Sequence, residues 1–144
     1  MSNKGHYYTT FTGEDAYRFY KTLPFAVQLA SEYPAVKRVH IVMANAKCLG
    51  VIDTAFYIGF GRELLTKGCV MGARNLLVIA NADIDAYSRV REDDLIIAMY
   101  LKEISLESLE KKPGAAIIAL PQNMTTVNSW VQTWGAINID KMIK

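Results

Sequence analysis

Three short stretches of the chain are apolar almost without interruption: VHIVMAN at 39–45, LLVIAN at 76–81 and AAIIAL at 115–120. A strand with one wet face alternates apolar and polar residues, so continuous runs predict strands covered on both faces. HYYTTF at 6–11 is aromatic and β-branched and predicts a first strand. Between these runs the spacing changes. Ala16, Phe19, Tyr20, Leu23, Val27 and Ala30 recur every three or four residues, which predicts an amphipathic helix. TGED at 12–15 fits its capped, acidic start, and Pro24 is expected to kink it or split it in two.

Residues 55–65 predict a further helix, ended by Lys67 and Gly68. Residues 91–112 open with REDD, run through LIIAMYL and end with LESLEKK before Pro113-Gly114. The pattern alone fits helix or strand; the acidic start and the later charges favour helix for most of it. From Gln122 onward Val127, Trp130, Val131 and Trp134 share a face, which predicts a C-terminal helical extension over 121–144. Apolar strands alternating with helices make βαβ units, hence an α/β protein with a mainly parallel sheet. No linker, repeat or low-complexity segment interrupts the 144 residues, so a single domain over 1–144 is expected.

Composition narrows the partners. Half the residues (51%) are apolar and 21% are charged, a globular balance, and the net charge is only +2. The cationic side chains are scattered, and pairs such as Lys37-Arg38 are too short to track phosphates, so nucleic acid is not an expected partner. No apolar run reaches the roughly 20 residues that cross a bilayer, and no signal-peptide core is visible at the start. Cys48 and Cys69 form neither a C-x-x-C nor a zinc spacing, which fits a reducing, cytoplasmic setting.

The candidate chemistry gathers where strands end, because ligands of open α/β sheets bind outside the carboxyl ends of the strands. Asn45 and Cys48 follow the run at 39–45, with Lys47 placed to lower a thiol pKa; Cys48 is also the size of an ordinary core residue. Asn81 and Asp83 follow LLVI at the next tip. They are candidate ligand-binding side chains, although Asn and Asp also cap turns at such positions. Gly59 and Gly61 lack the third glycine of a dinucleotide loop and lie inside a helical pattern, so close packing is the better reading. His40 sits mid-strand, where a satisfied buried imidazole is more common than a base, and neither a hydrolase triad, a metal site nor a cofactor motif is visible.

Three stretches carry a resemblance to the DsrE/DsrF-like family of small α/β proteins associated with sulfur relay: TGEDAYR at 12–18 with TLPFA at 22–26, VHIVMANAKCLGV at 39–51, and LLVIANADIDAYSRVREDDLI at 76–96. The resemblance implies a flavodoxin-like, three-layer α/β/α fold with a sheet of about five strands. It also implies a homo-oligomer, a trimer or hexamer, with the site near a subunit boundary. The departure is as informative as the likeness. Where the family's sulfur-carrying cysteine would fall, this chain has Ile79, Ala80 and Asn81, and a second cysteine is replaced by Ala82 and Asp83. A persulfide needs a thiolate, which neither an amide nor a carboxylate supplies. Three functions follow as expectations: a DsrE-like module that binds a small molecule or a protein partner, a sulfur carrier whose catalytic thiol has moved to Cys48, or a nucleotide or cofactor binder at the sheet's carboxyl edge.

Overall fold

The computed structural model describes residues 4–10, 14–81, 90–112 and 114–141. In chain order the elements are β1 (Gly5–Tyr8), α1 (Asp15–Leu29), β2 (Arg38–Met43), α2 (Cys48–Ala55), α3 (Phe60–Thr66), β3 (Cys69–Met71), β4 (Leu76–Asn81), β5 (Asp94–Met99), α4 (Glu103–Glu110), β6 (Ala116–Leu120), α5 (Asn128–Trp134) and β7 (Ile137–Asn138). They build one seven-stranded sheet in the order β3-β4-β2-β5-β6-β1-β7. Only β3 runs antiparallel, against β4.

Period-two alternation along the strands divides the core between two faces. Val39, Ile41, Met43, Leu95, Ile97, Met99, Ile118 and Leu120 pack on the first face with Phe19 and Leu23 of α1, Ile52 of α2 and Leu64 of α3. Val42, Ile96, Ala98, Ile117 and Ala119 pack on the second with Leu106 and Leu109 of α4 and Trp130 of α5. The result is a three-layer α/β/α fold.

The strand order carries the site. Starting the count at β2, the five central parallel strands read 2-1-3-4-5, the flavodoxin-like order, with β1 of this chain as the fifth. β4 lies on one side of β2 and β5 on the other, so the strand order reverses at β2. The topological switch therefore falls between the carboxyl ends of β2 and β5, where a crevice for a ligand is expected.

Several sequence expectations change. The 91–112 stretch is a strand followed by a short helix, not mostly helix. Asp94 does not open a helix; it is buried at the first position of β5, paired in register with Arg38. The apolar run after it is short enough for a strand enclosed on both faces. The helix expected over 55–65 is two helices, α2 beginning earlier at Cys48, separated at residues 56–59. Gly59 makes the break: it starts α3 with φ 96°, a conformation other side chains avoid. Gly61, as its spacing implied, is a packing glycine; a Cβ there would stand 2.9 Å from Leu49. Pro24 does not split α1, which runs through it as one helix whose buried face offsets the single missing hydrogen bond.

Seven strands replace the expected five because β3 and β7 are edge strands of three and two residues, too short to show a pattern. The tail is less helical than expected, with a seven-residue α5 followed by β7 alongside β1. It is also firmly joined to the rest. Trp130 is buried and donates its indole N–H to Glu110 of α4 at 2.8 Å, while the other carboxylate oxygen of Glu110 meets His6 of β1 at 2.9 Å. Among the described residues no helix is long and apolar enough to cross a membrane.

Trp130→Ala is expected to lower the unfolding free energy by about 3–5 kcal/mol in urea denaturation, as for any large buried aromatic. A loss below about 1 kcal/mol would mean that the tail is a loosely attached appendage.

Candidate functional site

Three groups of side chains meet at the switch between β2 and β5. From the tip of β2 come Asn45 and Cys48. The Asn45 side chain turns back on its own loop and accepts the Lys47 N–H at 2.9 Å, while its carbonyl accepts the Cys48 N–H that opens α2. From the first turns of α1 come Asp15 and Arg18. From the end of β5 comes Tyr100.

Cys48 is not presented to solvent. Only 2% of it is exposed, and it packs in the first-face core. Burial pushes its thiol pKa up, aided by the Asp15 carboxylate, against backbone hydrogen bonds near Asn45 and Ala44 that favour the thiolate. Lys47 plays no part in that balance. The arrangement is the reverse of an electropositive, exposed nucleophilic cysteine. Cys69, on the edge strand β3, is the more exposed of the two thiols.

Tyr100 is the unusual residue of this edge. Its φ of 64° places a bulky aromatic in the left-handed region, which costs free energy wherever it occurs. The consequence is directional. By alternation after Met99, Tyr100 belongs on the second face, yet it packs against the first-face core beneath α1. There its ring lies under the Arg18 guanidinium, 5.9 Å from the ring centroid. The Tyr100 hydroxyl is enclosed and faces the Asp15 carboxylate, without completing a well-formed hydrogen bond among the described residues. Burial first, and then the Asp15 carboxylate, push the phenol pKa up.

Arg18 is 8% exposed. One of its terminal nitrogens donates to the Pro121 carbonyl and another stands 3.9 Å from Asp15, while its Nε is buried without a partner among the described residues. A phenol and a guanidinium N–H, both enclosed and unsatisfied, sit together at the switch point. Each such group costs about 1–3 kcal/mol unless something bonds to it.

Asn81 does not join this cluster. In register with Val42, it faces the second side of the sheet. Its amide Nδ2 lies 2.6 Å from Nε2 of His40. The other ring nitrogen of His40 meets Asp94 at 3.3 Å, and both His40 and Asp94 are fully buried. A proton on Nδ1 directed at Asp94 leaves Nε2 to accept from Asn81. Asp94 also accepts from Arg38 Nε at 2.5 Å, from Arg38 Nη2 at 2.9 Å and from the Arg91 backbone N–H at 2.9 Å. Burial alone would raise this carboxyl; the bonds from His40, Arg38 and Arg91 outweigh it and hold the pKa below its ordinary 3.8.

The expected tip residues are thus separated: Asn45 and Cys48 lie at the switch, Asn81 is locked to a buried histidine on the other face, and Asp83 lies outside the described residues. The Asn81 amide is turned toward His40, and His40 is a satisfied core imidazole. Arg18 had a sequence signal, as the arginine of the TGEDAYR stretch. Tyr100 had none, because its role depends on one backbone angle. Among the described residues, no group of three His, Cys, Asp or Glu side chains is placed to hold a metal ion. Comparison with family models, with curated proteins and with solved structures found no match for the chain.

Asp94→Ala is expected to cost about 3–5 kcal/mol, because it removes the buried carboxylate to which Arg38, His40 and the Arg91 N–H are all bonded. The pH dependence has a fixed sign. A carboxyl with a depressed folded pKa stabilises fully above its unfolded value, and that contribution is lost as pH falls through the lower folded value. Stability measured by urea denaturation should therefore fall below about pH 4, and Asp94→Asn should flatten that fall. Tyr100→Phe removes an unsatisfied hydroxyl and nothing else. Its melting temperature should equal or exceed that of the natural protein, and a drop of several degrees would mean the hydroxyl has a structural partner.

Proposed function

We propose that the protein is a DsrE/DsrF-like module, related to sulfur-relay proteins, that binds a small polar molecule at the switch between β2 and β5 and does not itself carry sulfur. The observation that carries this reading is the contrast at that edge. The one thiol there is buried with its pKa pushed up, while Nε of Arg18 and the Tyr100 hydroxyl, which faces Asp15, are enclosed without a completed hydrogen bond among the described residues. Binding sites keep such unsatisfied, strained groups at a cost to stability. A ligand with hydrogen-bond acceptors would meet the Arg18 guanidinium and the Tyr100 hydroxyl, with the Asn45 loop as its rim.

Self-association belongs to the same proposal. Pro24 and Val27 of α1, Phe56 after α2 and Met71 of β3 line an apolar hollow of about 290 Å³. Ile58 is 94% exposed, and Val70 lies exposed on the edge strand. An edge strand with apolar side chains is a ready template for a second chain. That supports a homo-oligomer without fixing its size.

The test uses the folded protein incubated with polysulfide and weighed intact, beside Cys48→Ala and Cys69→Ala. Loading a cysteine requires its thiolate to attack a terminal sulfur and release a shortened polysulfide, which leaves one extra sulfur on the protein. The expected result is no stable adduct at Cys48. One added sulfur, removable by reductant and lost only in Cys48→Ala, would show instead that the chain carries sulfur on the β2 tip.

A further inference from the structure

At the edge of the sheet, where β4 runs on past its pairing with β3, lies a cleft of about 490 Å³. Its volume is in the range of small-molecule sites. The end of α3, the last residues of β4, the start of β2 and residues 90–91 enclose it, and Arg38, Lys67, Gly68, Asn81, Val90 and Arg91 are among its lining residues. Three of these are cations, and no described lining residue is acidic. This balance is unusual for a chain whose net charge is only +2.

The cations are held from below. Asp94, fully buried, grips Arg38 by two hydrogen bonds and the Arg91 backbone by a third. One carboxylate thus fixes the Arg38 side chain and the stretch of backbone that carries Arg91, as a supporting shell fixes the frame of a binding site. Asn81 is fixed in the same way through His40. On the opposite wall Gly68, with φ +74°, lets the end of α3 lie against β4. A Cβ there would stand 2.8 Å from Leu77 and 3.0 Å from Ile79 and the Val78 carbonyl. That close approach brings Lys67 to the rim, where Glu63 on the same helix meets it at 3.5 Å.

We propose that this cleft, formed by Arg38, Lys67, Asn81 and Arg91 over the buried Asp94–His40 pair, is a second binding site, for a small molecule bearing a phosphate or carboxylate oxyanion. Guanidinium groups are planar donors that match such oxyanions; that of Arg38 is fixed by Asp94, that of Arg91 leaves an anchored backbone, and Lys67 adds a mobile point charge. The site is separate from the cluster of Asp15, Arg18, Cys48 and Tyr100, none of which lines the cleft.

Calorimetric titration of the folded protein with pyrophosphate and, separately, with malonate at low ionic strength tests this. The variants are Lys67→Ala and Arg91→Ala, which keep the backbone N–H that holds Asp94, and Lys111→Ala at the exposed end of α4 as a control. Arg38 stays untouched because it is structural. Binding of either anion at one per chain, weakened about tenfold by Lys67→Ala and by Arg91→Ala but not by Lys111→Ala, is the expected result. Pyrophosphate binding alone identifies a phosphate ligand, and malonate binding alone a carboxylate one. Absence of binding by both anions at millimolar concentration overturns the proposal, as does binding that the control weakens as much as the two cleft variants.

Discussion

The carboxylate of Asp94 is the constraint around which the sheet is organised. It stands at the first position of β5, which runs between β2 and β6, with no exposure to water. An unpaired carboxylate there would be prohibitively expensive, so the chain must bring Arg38, His40 and the Arg91 N–H to it. That requirement fixes the register of β5 on β2. A slip of one residue would turn Asp94 into the apolar core beneath α1. With β2 and β5 pinned, β4 adds on one side and β6 with β1 on the other. The same carboxylate, acting through His40, decides where the Asn81 side chain goes.

That pinned pair of strands is also what makes the carboxyl edge a site. Where β2 and β5 end, the chain leaves in opposite directions, and Tyr100 takes a left-handed turn that carries its ring back under Arg18. A glycine would make the turn at lower cost, but it would bring no phenol to the crevice. Strain, an enclosed hydroxyl and an enclosed guanidinium N–H converge on the side of the sheet where the Cys48 thiol is packed as core. In the proposed reading the chemistry of this edge is hydrogen bonding to a ligand, with the thiol left as core.

Much of this architecture was legible in the chain. The continuous runs at 39–45, 76–81 and 115–120 mark β2, β4 and β6, and their alternation with helical spacing gives the parallel α/β sheet. What stayed hidden depends on contacts made far along the chain. REDD reads as the acidic start of a helix until Asp94 is seen to face Arg38, 56 residues away. Nothing near Asn81 in the sequence announces that its amide meets His40, 41 residues distant. β3 and β7 are too short to carry a period, and the face-swap of Tyr100 resides in a single φ angle. Cys48 illustrates a different limit, since its neighbours in sequence include the cation Lys47 while its neighbours in space are apolar.

The rate of alkylation of Cys48 by iodoacetamide, followed against pH in the folded protein with Cys69 replaced by alanine, tests the central claim most directly. The account predicts a thiol that reacts far more slowly than free cysteine and shows a midpoint above the ordinary cysteine value of 9.0. Fast alkylation with a midpoint near neutrality would contradict it, and would make Cys48 the nucleophile of a sulfur carrier.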